Sequence, residues 1–277
     1  MKQAVTLAEL RAARAALASP VGFVPTMGYL HDGHLSLVAT AKADCASVVA
    51  SIFVNPAQFG PSEDLAAYPR DQEGDLRKLE TAGVDLVWLP TPEVIYPPGF
   101  DTWVEVQGVS QPLEGASRPG HFRGVATVVA KLFNSMQPQR AYFGQKDAQQ
   151  VAVLQQMVND LNFPLELIVV PTKREADGLA MSSRNAYLAP PERAAASVLH
   201  RALSAAKAAY DGGERSGDTL RELMRATIVS EPLARVQYVS CAHPRTLQEL
   251  DTIAEGALLS MAVFIGKTRL IDNVILD

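Results

Sequence analysis

At 277 residues with 48% hydrophobic side chains, the chain is long enough to bury a large core and passes the size at which a second domain is expected. Twenty-five basic residues against thirty acidic ones give a formal charge of −5 with no block of like charge, which argues against nucleic acid or an anionic membrane as a partner. Cys45 and Cys241 cannot build a disulfide framework and fit a reducing cytosol, and no segment approaches the length of a membrane span.

Residues 1–20 carry Glu9, Arg11 and Arg14 and lack the apolar core of a signal peptide, so a cytoplasmic protein that begins with a surface helix is expected. Thr6 followed by Glu9 is a capping-box pattern, with Leu7, Leu10, Ala13 and Leu17 as the apolar stripe. Residues 21–24 read as a buried parallel strand and 25–33 as a turn. From residue 35 a helix is predicted, with Leu35, Val38 and Ala39 at helical spacing. The turn, Met27-Gly28-Tyr29-Leu30-His31-Asp32-Gly33-His34, puts two histidines at a helix start, where free backbone N–H groups and the positive end of the macrodipole favour an anion. Gly28 and Gly33 remove the Cβ atoms that would hold a ligand off the backbone. Imidazole can donate an N–H to phosphate whether neutral or protonated, so His31 and His34 together suit a triphosphate. A His-x-x-His pair is also half a metal site. Zinc needs at least a third ligand, however, and His121, His200 and His243 are scattered, so no metal ligand is assigned.

Residues 46–54 look like a second buried strand, ending in Asn55-Pro56-Ala57-Gln58-Phe59-Gly60, a loop at the carboxyl edge where open α/β proteins bind ligands. Asn55 and Gln58 are candidates for reading a small polar substrate, with ordinary turn chemistry the plain alternative for Asn55. A helical segment over 63–81, broken or restarted at Pro69, and a strand at 85–89 extend an alternation that predicts parallel strands with helices on both faces. Residues 90–120 are richer in Pro and Gly, suit a wall or lid, and enclose a predicted edge strand or hairpin at 102–106. Arg118 and Arg123 follow, able to pair with carboxylate or phosphate or simply to be solvated. An amphipathic helix through Val125, Val128, Val129, Leu132, Phe133 and Met136 stops at Pro138. A strand at 140–143 then delivers Gly144-Gln145-Lys146-Asp147 ahead of a helix over 148–161. Lys146 can reach phosphates as a point charge, while Asp147 can cap the helix or touch a ribose hydroxyl. Gln149 and Gln150 open that helix. After a strand at 165–170, a polar run reaches Met181-Ser182-Ser183-Arg184, whose hydroxyls and guanidinium suit phosphate oxygens or a plain helix cap. From Pro190 come an alanine-rich helix to Tyr210, a helix over 218–230, and strands at 236–240, 258–265 and 269–273, the last two joined by a hairpin at Gly266-Lys267-Thr268. The expected fold is α/β: a Rossmann-like parallel-sheet domain, residues 1–174, followed by a smaller α+β domain, 175–277.

The His-Asp-Gly-His turn after the first strand, with the Met-Ser-Ser-Arg loop past the last, resembles the signature pair of the nucleotidylyltransferase and class I aminoacyl-tRNA synthetase superfamily. Five motifs in order narrow this: Pro-Thr-Met-Gly-x-Leu-His-x-Gly-His, Phe-Val-Asn-Pro-x-Gln-Phe, Arg-Pro-Gly-His-Phe-Arg-Gly-Val, Gly-x-Lys-Asp-x-Gln-Gln and Asp-Gly-Leu-Ala-Met-Ser-Ser-Arg-Asn. Over essentially the whole chain they resemble the pantoate–β-alanine ligases. That resemblance implies ATP-dependent, Mg²⁺-assisted condensation of (R)-pantoate with β-alanine to pantothenate, AMP and pyrophosphate through a pantoyl adenylate, in a homodimer. It implies that the turn from Met27 to His34 binds ATP, with His34, His31 and Lys146 on the reacting phosphates. Further ATP contacts would come from Gly144, Gln145, Lys146, Asp147, Lys173, Met181, Ser182, Ser183 and Arg184. Gln58 and Gln150 would hold pantoate, and Gln58 would also lie near β-alanine. Two positions depart from the family pattern: Gln145 stands where an acid is usual, and Lys173 where a valine contacts adenine through its backbone, which lysine tolerates. The resemblance also raises Asp75 as a holder of metal-bound phosphate, but Gly74 replaces an acid seen in some relatives and Asp75 is not assigned. A nucleotidylyltransferase acting on a phosphorylated small molecule shares the histidine turn and is the alternative.

Overall fold

A computed structural model describes residues 1–61 and 63–277. They divide into two compact units, Met1–Gly144 with Val153–Pro171, and Gln145–Ala152 with Thr172–Asp277. A single crossing after residue 174 was expected. By compactness the stretch Gln145–Ala152 also belongs to the second unit, as do residues 172–174.

The first unit runs β1 (Lys2–Ala4), α1 (Leu7–Ala15), β2 (Val21–Thr26), α2 (Asp32–Asp44), β3 (Ser47–Ile52), α3 (Gln72–Thr81), β4 (Leu86–Trp88), α4 (Pro92–Ile95), α5 (Glu114–Ser117), α6 (His121–Met136), β5 (Arg140–Gly144) and, after α7 (Ala148–Asp160), β6 (Glu166–Val170). Its six strands form one parallel sheet in the order β1-β4-β3-β2-β5-β6. Val21, Phe23, Val24, Val48, Val49 and Ala50 are fully buried, which is why β2 and β3 read as unbroken apolar runs: helices cover both faces. From β2 the chain builds outward through β3 to one side and later returns to add β5 and β6 on the other. The loops leaving β2 and β5 therefore part at the topological switch point, the usual ligand position of such sheets.

Three differences from the sequence reading have plain causes. β1 is a three-residue edge strand, Lys-Gln-Ala, with no apolar run to announce it. No strand forms at 102–106; the Val104 N–H donates instead to Thr127 Oγ1 of α6 at 3.0 Å, so the alternation reflects packing along a helix. Of 63–81 only Gln72–Thr81 is helical, started by Asp71, whose Oδ1 accepts the Gly74 N–H.

The second unit contains α8 (Pro190–Ala195), α9 (Val198–Asp211), α10 (Gly217–Val229), β7 (Ala234–Ala242), β8 (Ala257–Ile265) and β9 (Thr268–Leu276). The strands form an antiparallel sheet, β7-β8-β9, and Leu199, Leu203, Leu220, Met224, Leu259 and Met261 belong to one buried cluster between helices and sheet. The expected hairpin is present: Ile265 pairs with Thr268 across Gly266-Lys267, and Gly266 takes the positive φ such a turn needs. The alanine-rich stretch, expected as one helix, is α8 and α9. Among the described residues no helix is long and apolar enough to cross a membrane.

α1 carries the expected capping box between Thr6 and Glu9, and it also closes α6. Arg14 donates from Nε to Met136 O at 2.9 Å and from Nη2 to Gln137 O at 3.0 Å, where the helix ends on a left-handed Gln137. Arg14→Ala is expected to lower stability by about 1–3 kcal/mol, read as a shift in denaturant midpoint at constant m. A midpoint equal to that of the parent protein contradicts this.

Candidate functional site

At the end of β2, Thr26 Oγ1 donates to Ser51 O and accepts the Gly28 N–H. Gly28 and Tyr29 then both take left-handed backbone, at φ +85° and +50°. A Cβ on Gly28 would also lie 3.1 Å from Asp75 Oδ2, so glycine is required twice over. This reversal aims two successive amides at one carboxylate: Tyr29 N–H donates to Asp75 Oδ2 and Leu30 N–H to Asp75 Oδ1, each at 2.7 Å. Asp75 is 1% exposed, and Lys78 on the same helix donates to Leu30 O at 2.7 Å. Asp75 thus anchors the turn through its main chain.

His31 is the N-cap of α2. Its Nδ1 accepts the Gly33 N–H at 3.1 Å, and His34 Nδ1 accepts the His31 N–H at 3.3 Å, a capping box made of two imidazoles whose centres lie 4.1 Å apart. The His34 N–H bonds to His31 O at 2.8 Å. The free main-chain N–H groups expected at this helix start are therefore largely engaged, and by the histidines themselves. An Nδ1 that accepts an amide carries no proton, so the ring proton sits on Nε2 in both residues. Each imidazole caps with one nitrogen and has an N–H donor on the other. α2 packs through Leu37, Val38 and Ala41, whereas Ala39 is exposed and Leu35 half-buried, so the buried stripe differs from the expected one.

Past β3, the chain turns through a short 3₁₀ segment, Pro56–Gln58. Asn55, 1% exposed, donates from Nδ2 to Gln58 Oε1 and to Gly124 O, each at 3.1 Å, while its Oδ1 accepts the Tyr96 hydroxyl at 2.7 Å. With Gln58 Oε1 engaged by Asn55, the Gln58 amide is oriented to donate from Nε2, which contacts Met27 Sδ at 3.0 Å. Behind Gln58, Arg118 grips Glu63 bidentately at 2.7 and 2.8 Å and points Nη1 at His121 Nε2, 3.1 Å away. Guanidinium only donates, so Nε2 accepts and His121 Nδ1–H donates to Gln58 O at 2.9 Å. Burial, with the Arg118 charge second, pushes the His121 pKa down to about 4. The arginines left open by the sequence are thus Glu63's partner and, for Arg123, a cation over the Trp103 ring at 5.0 Å. Gly124 lets α6 touch this turn: a Cβ there would lie 2.2 Å from Ala57 O.

In the second unit, Gln145–Asp147 forms a 3₁₀ turn with Lys146 Nζ 3.6 Å from Asp147 Oδ1. Gln150 is half-buried and Gln149 buried. Asn273 of β9 donates from Nδ2 to Gln145 O at 3.0 Å and Lys146 O at 2.8 Å, and its Oδ1 accepts Gln145 Nε2 at 3.0 Å. Gln145, where the family usually has an acid, is thereby a partner of Asn273. Its neighbour Asp272 holds Arg174 bidentately at 2.6 and 2.9 Å. Arg174 also donates to Gly178 O, Lys173 O accepts the Met181 N–H at 3.0 Å, and Arg174 bridges Ala180, so Lys173 to Met181 is a closed hairpin. It leads directly into Ser182, which caps the 3₁₀ turn Ser183–Tyr187 by accepting the Arg184 N–H at 3.3 Å. Capping leaves the Ser182 O–H able to donate. Asp272 and Asn273 were missed by the sequence reading, for they lie in a strand 98 positions from Arg174 and 127 from Lys146.

Among the described residues no group of three or more His, Cys, Asp or Glu side chains could hold a metal ion. The donors present, imidazole N–H, ammonium, hydroxyl and guanidinium, have the chemistry to bond phosphate oxygens.

A parallel sheet with a histidine-capped helix start at its switch point defines a Rossmann-like α/β nucleotide-binding protein. Comparison narrows the class. A family profile described as pantoate-β-alanine ligase matches residues 2–275. The pantothenate synthetase of Herpetosiphon aurantiacus is 62% identical over 277 residues, the whole of both chains. The crystal structure of pantothenate synthetase from Thermus thermophilus aligns with a TM-score of 0.95 at 51% identity over 99% of each chain. That of pantoate-β-alanine ligase from Francisella tularensis, described as complexed with β-γ ATP and β-alanine, aligns at 0.81 and 34% identity over 99% of this chain and 97% of that one. This chain belongs to the pantoate–β-alanine ligase family and is a ligase.

Two outcomes follow from this geometry. Asp75→Asn sets an NH₂ against one of two N–H donors, and it is expected to cost about 1–3 kcal/mol of stability and to raise the KM for ATP, measured by denaturation and initial rates. Parent-like values of both contradict the anchor role. His121 is neutral in the fold with a pKa near 4, against 6.5 for an ordinary histidine. As pH falls through that window the unfolded chain takes up a proton the folded chain does not, so stability is full above the window and is lost on descending it, by up to about 1.4 kcal/mol per pH unit. His121→Asn, which keeps a donor near the Nδ1 position, is expected to flatten that part of the stability–pH curve. An unchanged slope contradicts it.

Proposed function

We propose that the chain condenses pantoate with β-alanine at the expense of ATP, giving pantothenate, AMP and pyrophosphate through a pantoyl adenylate. The observation that carries this reading is the family match over residues 2–275. In the first step a pantoate carboxylate oxygen attacks the α-phosphorus of ATP, the bond from that phosphorus to its bridging oxygen breaks, and pyrophosphate leaves. A carboxylate with a pKa of about 4 is already ionised at neutral pH, so the step needs positioning and charge neutralisation and no general base.

His31 and His34 donate Nε2–H to the phosphate oxygens that gain charge as pyrophosphate departs, and Lys146 adds a full positive charge. Met27, Gly28, Tyr29, Leu30, Asp32 and Gly33 line the nucleotide from the turn. Gly144, Gln145, Asp147, Lys173, Met181, Ser182, Ser183 and Arg184 supply its remaining contacts. Gln58, donating from Nε2, and Gln150 hold pantoate, and Gln58 also meets β-alanine. Mg²⁺ bound to the phosphates would draw charge from their oxygens. In the second step the β-alanine amine attacks the acyl carbon, the bond from that carbon to the phosphate oxygen breaks, and AMP leaves as the amine loses a proton. An alkylamine with a pKa of about 10 is mostly ammonium at neutral pH, so the minor neutral form is the nucleophile. The same reading makes the protein a cytoplasmic homodimer with no nucleic-acid or membrane partner. Residues 1–174 would handle ATP and pantoate, and 175–277 would add the Met-Ser-Ser-Arg loop.

ATP consumption is expected to require pantoate. His34→Ala and Lys146→Ala are expected to lower pantoate-dependent pyrophosphate release about a hundredfold or more. Folding should change by no more than a lost helix cap in the first variant, about 1 kcal/mol. A coupled pyrophosphate assay with pantoate alone, then with β-alanine, reads this directly. Turnover of ATP without pantoate, or with a phosphorylated alcohol in its place, contradicts the reading.

A further inference from the structure

Lys146 and the Ser182-Ser183-Arg184 run are separated by 35 residues of chain, yet two adjacent residues of β9 hold what leads into each. Asn273, 4% exposed, closes a three-bond clasp on the Lys146 turn: its Nδ2 donates to the carbonyls of Gln145 and Lys146, and its Oδ1 takes the Gln145 amide. Asp272, 2% exposed, takes both arms of Arg174, which also donates to Gly178 O and, at 3.3 Å, to Asn273 O. Asp272 Oδ1 accepts the Asn273 main-chain N–H at 2.8 Å, which ties the residue making one clasp to the residue making the other. Asn273 acts on main chain and Asp272 on the Arg174 guanidinium, and a buried charge-paired network of this kind fixes geometry because each member is satisfied only in one arrangement. A lysine used as a point charge on phosphate gains nothing from its own long stem in precision. The turn that carries it must be fixed, and here the fixing comes from β9.

We propose that Asp272 and Asn273 are positioning residues for ATP: they set the spacing between the Lys146 turn and the Ser182-Ser183-Arg184 loop, so that the two present their donors to one polyphosphate at a fixed separation. The inference rests on the reading of Lys146 and that loop as ATP contacts. It goes beyond that reading by assigning to two strand residues that touch no substrate the task of holding the two groups in register. Gln145 becomes part of the device in this chain, since its amide nitrogen supplies the donor that Asn273 Oδ1 accepts.

The test is a double-mutant cycle read by steady-state kinetics. Asn273→Ala is expected to raise the KM for ATP about ten- to hundredfold, the effect of misplacing a binding group by about an ångström. The KM values for pantoate and β-alanine should stay within about twofold. Gln145→Ala, which removes one bond of the clasp and leaves Asn273 in place, is expected to move the ATP value the same way by less; because Gln145 is also read as an ATP contact, it serves where Asn273→Ala does not fold only through the loss of its effect in a Lys146→Ala background. In a Lys146→Ala background, Asn273→Ala is expected to add no more than about twofold, because it acts through the turn that carries the lysine. Equal losses for all three substrates, or effects that multiply independently of Lys146, overturn the inference. If Lys146→Ala weakens ATP use while Asn273→Ala and Gln145→Ala do not, the positioning role is wrong and the ATP reading stands. If Lys146→Ala itself leaves ATP use intact, both fall.

Discussion

A helix start closed by its own two imidazoles is the constraint on which the proposed phosphate chemistry turns. The amides of His31 and Gly33 are accepted by Nδ1 of His34 and His31, so the main chain there has little left to offer an anion, and each ring is fixed with its proton on Nε2. The macrodipole of α2 still points its positive end at this place. The donors that use it are side chains whose tautomer the backbone decides. Asp75 makes that geometry possible by taking the Tyr29 and Leu30 amides and so holding the left-handed reversal from which His31 emerges.

The same arrangement recurs at the other candidate groups. Gln58 donates because Asn55 engages its carbonyl oxygen, and its own main chain is held by a neutral His121 that Arg118 and Glu63 keep in one tautomer. The Lys146 turn is held by Asn273. In each case a donor is held by a second polar group that bonds the main chain carrying it. Adenylate formation from an already ionised acid calls for such a design, since it asks the protein for fixed dipoles and charges and for no proton acceptor.

Much of this was legible in the sequence. The alternation of apolar runs with helical spacing pointed to the parallel sheet, and the Gly266-Lys267 turn to the β8–β9 hairpin. The histidine turn, the Gly144-Gln145-Lys146-Asp147 end of β5 and the Ser182-Ser183-Arg184 run stood out because glycine, basic and hydroxyl residues follow strands. Other features could not be read, for physical reasons. Free N–H groups were expected at the start of α2 because every helix start leaves its first amides without a partner within the helix, and nothing in spacing tells which ring nitrogen faces the backbone. Residues 102–106 alternate like a strand, yet Val104 bonds a threonine hydroxyl on α6, a contact with no periodic signature. Arg118 reads from the sequence as able to pair with carboxylate or phosphate or to be solvated, and only the fold shows that the partner is the Glu63 carboxylate, held bidentately. Asp272 and Asn273 lie in a plain apolar strand pattern, and their partners are main-chain carbonyls and an arginine far along the chain. Long-range pairing to main chain leaves no local trace.

The central claim is that the start of α2 fixes His31 and His34 as Nε2–H donors, and nitrogen NMR of the folded protein labelled at histidine tests it most directly. At neutral pH both rings are expected to show a bare Nδ1 and a protonated Nε2. A proton on Nδ1 of either ring in the folded enzyme would contradict it, because that ring could then no longer accept the amide that closes the helix.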